Sequence, residues 1–334
     1  MKFGPTTLDE AEGAILAHSV DLDGSRLRKG QVLETTHITA LRDAGFAEVM
    51  AARLDEGDLH ENLAAERLAK ALAPDPAALG LRLSHAFTGR VNFLADHAGV
   101  TLLQEDALHR INRVDPTISL ATVPPYQQMA EGGMVATVKI ISYGVPEAHV
   151  AAAADQLAGA IRVVPVAYSS ASLIVTEIPG GPGIKGAEAI RARVEALGME
   201  LTGVDTVPHQ RDALAAAISA APGEIVLILT GSATSDPRDI APEAVRHAGG
   251  AVDRFGMPVD PGNLLFLGSV VEKPVIGLPG CARSPALNGA DWVLSRVACG
   301  LDVTADDIAG MGVGGLLKEI PTRPQPRAGR KRKG

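Results

Sequence analysis

Glu224-Ile225-Val226-Leu227-Ile228-Leu229-Thr230-Gly231-Ser232-Ala233-Thr234-Ser235-Asp236-Pro237-Arg238-Asp239-Ile240-Ala241-Pro242-Glu243-Ala244-Val245 passes from an unbroken apolar run, through small polar residues, into a helical pattern. A short run of β-branched and Leu residues predicts a strand buried on both faces, as in a parallel sheet. From Asp239 to Ala248 the pattern predicts a helix with acidic residues in its first turn and Gly249-Gly250 as its stop. A strand, a small-residue loop and a helix N-terminus in that order make an anion-binding corner, because loop N–H groups and the helix dipole face one point. Asp236 and Asp239 stand at the mouth of that corner, which suggests a phosphate ligand accompanied by a metal ion.

The same alternation extends in both directions. Strands are expected at 172–176, 200–207, 251–255, 264–267 and 274–276. Helices are expected at 187–197 and 213–220, and a long one at 284–298 with Ser284 as N-cap and Pro285 in its first turn. Strands alternating with helices over short connections predict a mostly parallel sheet covered on both faces. The first 133 residues differ. Short Val/Ile/Leu segments between glycines, with helices at 36–44 and 61–73, predict a β-rich α+β domain. Residues 134–170 form a bridging segment with βα character, the main α/β domain covers 171–315, and 316–334 is a basic tail ending Arg330-Lys331-Arg332-Lys333 that is expected to be disordered.

The chain has 334 residues, 46% hydrophobic and only 3% aromatic, with a net charge of −8. Cores built from Ala, Val, Leu and Ile are therefore expected. The acidic balance and the scarcity of aromatics argue against a nucleic-acid partner. Two cysteines, Cys281 and Cys299, are too few for a disulfide framework or a zinc site. No apolar run approaches the roughly 20 residues of a membrane span, and Met1 to Pro5 carries no signal-peptide pattern, so no membrane association and a cytoplasmic location are expected.

The quoted stretch resembles the T-G-G-[TS]-G-x-x-x-R-D-x-T-P-E-A signature of molybdopterin-binding domains, found in the molybdopterin adenylyltransferases and molybdenumtransferases of molybdenum-cofactor biosynthesis. Thr230, Gly231, Thr234 or Ser235, Arg238, Asp239, Pro242, Glu243 and Ala244 fit it, with Ser232 in place of the second Gly and Ala241 in place of Thr. Downstream, Pro261-Gly262-Asn263 and Lys273-Pro274-Val275-Ile276-Gly277-Leu278-Pro279-Gly280 resemble the P-G-K-P and K-P-V-x-G-L-P-G-N-P segments, with Asn263 for Lys and Cys281-Ala282 for Asn-Pro. The spacing of Gly30 to Val49 is similar to a stretch of the molybdenumtransferase N-terminal region.

The resemblance implies molybdopterin, or its adenylylated form, as ligand. It implies Mg²⁺ on Asp239, and ATP as co-substrate for nucleotidyl transfer or molybdate insertion. Asp239 and Asp236 are the catalytic candidates. Thr230, Gly231, Ser232, Thr234, Ser235, Arg238, Lys185, Gly262, Pro279 and Gly280 are the candidates for pterin and phosphate binding, and Arg283 for capping the far end of the ligand. One departure matters. At Val207-Pro208-His209 the adenylyltransferase pattern has Asp where this chain has His209, and imidazole does not supply the fixed negative charge that holds magnesium. A non-catalytic carrier that hands molybdopterin to a cytidylyltransferase or a molybdoenzyme is therefore the alternative. Further copies of the chain, in a homo-oligomer, complete the expected partners. The polar cluster Arg90, Asn92, Arg110, Asn112, Arg113 and Asp115 is expected to serve surface loops and salt links.

Overall fold

The computed structural model describes residues 1–155 and 157–317. The expected disordered tail, 316–334, lies outside them from residue 318 onward. Chain contacts divide the protein into two units, Met1–Pro165 and Val166–Gly334.

In the first unit, Lys2–Thr7 and Ile15–Leu16 flank Glu48–Arg53 in an antiparallel sheet. Helix Thr35–Asp43 contributes Ile38 and Leu41 to a core shared with Leu8, Leu16, Leu33 and Val49. A four-stranded antiparallel sheet runs in the order Ile118–Thr122, Met134–Ile140, Arg90–Ala95, Leu81–Leu83. Helix Glu61–Leu72 buries Ala64, Ala65, Leu68, Ala69 and Leu72, a stripe at helical spacing whose small residues allow close packing. The segment 134–170 is divided between the units. Met134–Ile140 joins this sheet, and Ile161–Pro165 pairs antiparallel with Gly99–Leu103. The βα pattern of 134–166 thus yields a strand, a helix at Glu147–Ala154 and a strand, but no parallel pair. Local alternation specifies elements, and their partners are chosen by distant segments.

Part of the polar cluster ties this unit together. Asn112 bridges the backbone of Leu120, donating from Nδ2 to its oxygen at 2.9 Å and accepting its N–H at 2.8 Å. Asp115 accepts from the Thr117 backbone at 2.7 Å and lies 2.6 Å from His149 Nδ1. Asn92 Oδ1 accepts from the Thr137 hydroxyl.

The second unit contains the expected sheet. Its order is Glu200–Pro208, Ser170–Glu177, Ile225–Leu229, Lys273–Leu278, Phe266–Val270, Ala251–Phe255. The first four strands are parallel, and the last two are added antiparallel. Every residue of Ile225–Leu229 is buried. Ile225, Leu227 and Leu229 enter the core on one face, while Val226 and Ile228 enter the core on the other. Helices Ala187–Glu195 and Gly289–Ala298 cover the first face, and Arg211–Ala220 and Ile240–His247 cover the second. Among the described residues no helix is long and apolar enough to cross a membrane.

One helix start differs from expectation. Residues Gly280–Arg283 form a short 3-10 turn, Ser284 is extended, and the α-helix begins at Gly289 with Asn288 as N-cap. Asn288 and Asp291 form a reciprocal capping box: Asn288 Oδ1 accepts the Ala290 N–H, and Asp291 Oδ2 accepts the Asn288 N–H at 2.7 Å. Ser284 has the side chain of a cap but no acidic partner three residues on, since position 287 is Leu. Replacing Asn288 by Ala should therefore cost about 1–2 kcal/mol in a denaturant melt, whereas Ser284→Ala should change stability by less than about 0.5 kcal/mol. Equal costs would place the cap elsewhere.

Candidate functional site

The parallel strands end at one edge of the sheet, and three connections meet there: 178–186, 230–239 and 279–284. Strand Ser170–Glu177 leads into helix Ala187–Glu195 on one face, and its neighbour Ile225–Leu229 leads into Ile240–His247 on the other. Adjacent strands whose connections leave to opposite faces open a crevice at their carboxyl ends, the usual ligand position in such sheets. The connection 230–239 lies at this switch point.

Gly231 sits flush against the neighbouring strand. Its N–H donates to Thr176 Oγ1 at 2.9 Å, and a Cβ at this position would lie 2.6 Å from the Thr176 carbonyl oxygen, so no larger residue fits without parting the strand ends. Thr176 is fully buried, and its hydroxyl is also 2.8 Å from His209 Nδ1. The His209 N–H donates to the Glu177 carbonyl at 2.9 Å. His209 thus stands at the switch point, joined through Thr176 to the loop.

Thr230 folds the loop. Its hydroxyl donates to the Ser232 carbonyl at 2.6 Å and lies 3.3 Å from Thr234 Oγ1, and both threonines are buried. At the far end Asp239 is the helix N-cap: Oδ1 accepts from Ile240 N at 2.7 Å and Oδ2 from Ser235 N at 3.1 Å. Asp236 Oδ1 accepts from Arg238 N at 2.7 Å, closing a turn. The N–H groups of Ser232, Ala233, Thr234 and Asp236 have no acceptor among the described residues. Free donors in a short loop ahead of a helix N-terminus are the kind of groups that anion-binding nests use.

Arg283 holds the corner together. Its guanidinium donates to Gly183 O at 2.9 Å, to Lys185 O, and to Thr230 O at 3.0 Å, so one side chain joins all three connections. Gly186, at φ +92°, lets the backbone pass Arg283, where a Cβ would fall 2.6 Å from the Arg283 Cβ. Burial pulls the Arg283 pKa below its ordinary value, but a guanidinium still remains charged at neutral pH.

The other expected residues are distributed around this core. Ser232, Ser235, Arg238 and Lys185 are exposed. Arg238 and Lys185 offer guanidinium and ammonium groups without a side-chain partner among the described residues. Pro279 is buried and Gly280 exposed at the start of the 3-10 turn. Gly262 packs backbone to backbone on Gly289, 3.0 Å from where its Cβ would be, and shapes the start of that helix. Cys281 Sγ accepts from Asn288 Nδ2 at 3.1 Å. Asp212, a further carboxylate near the corner, is paired with Arg211 at 2.8 Å and lies 3.6 Å from His247; the Arg211 hydrogen bond holds its carboxyl below the usual range.

Among the described residues no group of three His, Cys, Asp or Glu side chains could hold a metal, and Asp239 already uses one lone pair on each oxygen for backbone N–H groups. Thr176 carried no expectation, because a Thr ending an apolar strand reads as a strand residue. Arg283 was legible as a cation near the ligand, but its partners lie 53 to 100 residues away in sequence.

The clamp can be tested by itself. Arg283→Met removes the donors to three carbonyls and should destabilise the unit by about 1–3 kcal/mol. Amide exchange should quicken in 178–186 and 230–236 and stay unchanged in Ile225–Leu229. Unaltered exchange in both loops would show that Arg283 does not hold them.

Comparison with known proteins agrees with the second unit. Residues 185–296 match the family described as "Probable molybdopterin binding domain", and residues 5–53 match a domain of unknown function. A search of the curated proteins finds no match. Among solved structures, one match is described as the crystal structure of a molybdopterin biosynthesis moea protein from Pyrococcus horikosii. It is 12% identical, the match covers 93% of this chain and 76% of that one, and the TM-score is 0.29, too low a likeness to carry an argument. The family match covers residues 185–296, less than half of the chain.

Proposed function

We propose that the second unit binds molybdopterin, or its adenylylated form, with the phosphate on the loop Ser232–Asp236, and that the protein serves molybdenum-cofactor biosynthesis in this way. The observation that carries the proposal is the set of free N–H groups of Ser232, Ala233, Thr234 and Asp236 at the switch point, within a segment that matches the family. Such a nest binds an anion through backbone geometry. That suits a chain of net charge −8, which has no basic field to attract one. Arg238 and Lys185 are the exposed cations within the flanking connections, one as a planar fork and one as a point charge.

The corner suits a carrier better than an adenylyltransferase. Asp239 uses one oxygen to cap its helix and the other to hold the Ser235 N–H, and His209 is engaged with Thr176 where the adenylyltransferase pattern has a carboxylate. Positioning and charge neutralisation do most of the work in phosphoryl transfer. Here the protein supplies the positioning and the N–H donors, but no ready pair of carboxylates for a divalent ion. The natural recipient is a cytidylyltransferase or a molybdoenzyme. Nucleotidyl transfer or molybdate insertion with Mg²⁺ and ATP is the competing outcome.

Purified protein should bind molybdopterin saturably, followed by pterin fluorescence, and should consume ATP slowly or not at all with molybdopterin and Mg²⁺ present. His209→Asp should raise both Mg²⁺ dependence and ATP consumption. Fast transfer by the wild type, unchanged in His209→Asp, would establish an enzyme instead of a carrier. Absence of molybdopterin binding would remove both functions.

A further inference from the structure

Beside the anion corner, on the other side of Thr176, lies an open cleft of about 370 Å³ lined by Glu177, Ile178, Pro179, Thr206, Val207 and Pro208. Its volume is in the range of small-molecule sites. Strands Ser170–Glu177 and Glu200–Pro208 are parallel neighbours, with Val175 opposite Thr206 and Glu177 opposite Pro208. Residues two apart on a strand share a face, so the Glu177 carboxylate and the Thr206 hydroxyl project to the same side. The His209 N–H holds the Glu177 carbonyl at 2.9 Å and fixes this strand end. The Glu177 carboxylate itself has no hydrogen-bond or ion-pair partner among the described residues. The cleft adjoins the corner directly, since a Cβ on Gly231 would lie 3.2 Å from the Ile178 nitrogen.

A carboxylate with both oxygens free, between apolar walls, is complementary to two adjacent N–H donors on a flat heterocycle. We propose that this cleft recognises the 2-amino-4-oxopyrimidine edge shared by pterins and guanine. Glu177 accepts from the ring N–H and the exocyclic amine, and Thr206 donates to a ring acceptor. Ile178, Pro179 and Pro208 cover the ring. Glu177 is then the residue that determines specificity for the heterocycle, separately from the phosphate held by the loop. The assignment of the edge to molybdopterin rests on the function proposed above, whereas the recognition of the edge rests on the cleft.

The test uses heterocycles without phosphate, so that the loop contributes nothing. The full-length protein is titrated with 6-hydroxymethylpterin and with 6-hydroxymethyllumazine, in which a carbonyl replaces the amine and faces the carboxylate as a second acceptor. Wild type should prefer the pterin by about tenfold or more, the loss expected for a hydrogen bond to a charged group. Glu177→Gln, an exposed change, should erase that preference without shifting the melting temperature. No binding of either compound, equal binding, or a preference that survives in Glu177→Gln would overturn the inference. Guanosine distinguishes the sources. Tighter binding of the pterin supports molybdopterin as ligand. Tighter binding of guanosine keeps edge recognition, assigns it to a nucleotide, and tells against the proposed function.

Discussion

The Arg283 guanidinium, shared among the carbonyls of Gly183, Lys185 and Thr230, is the interaction on which the candidate site depends. The loops it joins come from separate strand ends and have few apolar contacts of their own. Without a common donor, the three carbonyls would lose the hydrogen bonds that tie these connections together. A guanidinium is suited to this task, since its two terminal nitrogens present donors from one rigid fork. Gly186 and Gly231 are the complementary constraint. Each has backbone where a Cβ would otherwise be, and each allows a connection to lie close to its neighbour.

This arrangement accounts for how an acidic protein can hold an anionic ligand. Attraction at long range is absent at a net charge of −8, so affinity has to come from contact. Preformed N–H donors cost no reorganisation when the ligand arrives, which is the advantage of a nest over mobile lysines. The same economy limits the chemistry. Asp239 caps the helix through Oδ1 and holds the Ser235 N–H of the loop through Oδ2, so using it for a metal would compete with the contacts that shape the loop. His209 is tied to the hydroxyl that receives the Gly231 N–H. Asp239, a catalytic candidate by resemblance, and His209, which stands where the pattern has a carboxylate, are therefore both engaged in holding the corner in place.

Much of this was legible in the sequence. The run 225–229 specified a strand buried on both faces, and the structure sends alternate residues to two cores. The order of strand, small-residue loop and helix is as expected, but the helix begins at Ile240, so Asp239 is its N-cap and not a first-turn residue. Three features were obscured. The start of the helix after Cys281 was assigned to Ser284, although Asn288 and Asp291 carry the reciprocal spacing of a capping box. The partners of Met134–Ile140 and Ile161–Pro165 lie up to 66 residues away, so local alternation could not reveal that their pairing is antiparallel. The hydrogen bonds of Thr176 and Arg283 join backbone groups distant in sequence, and such contacts have no periodicity to read.

The most direct measurement is a structure of the protein with bound molybdopterin, which locates the phosphate relative to the loop. The expected result is a phosphate at the carboxyl edge of the sheet, its oxygens within hydrogen-bond reach of the N–H groups of Ser232, Ala233, Thr234 or Asp236. A phosphate on the opposite edge of that sheet, or held by residues 1–165, would contradict the proposed site.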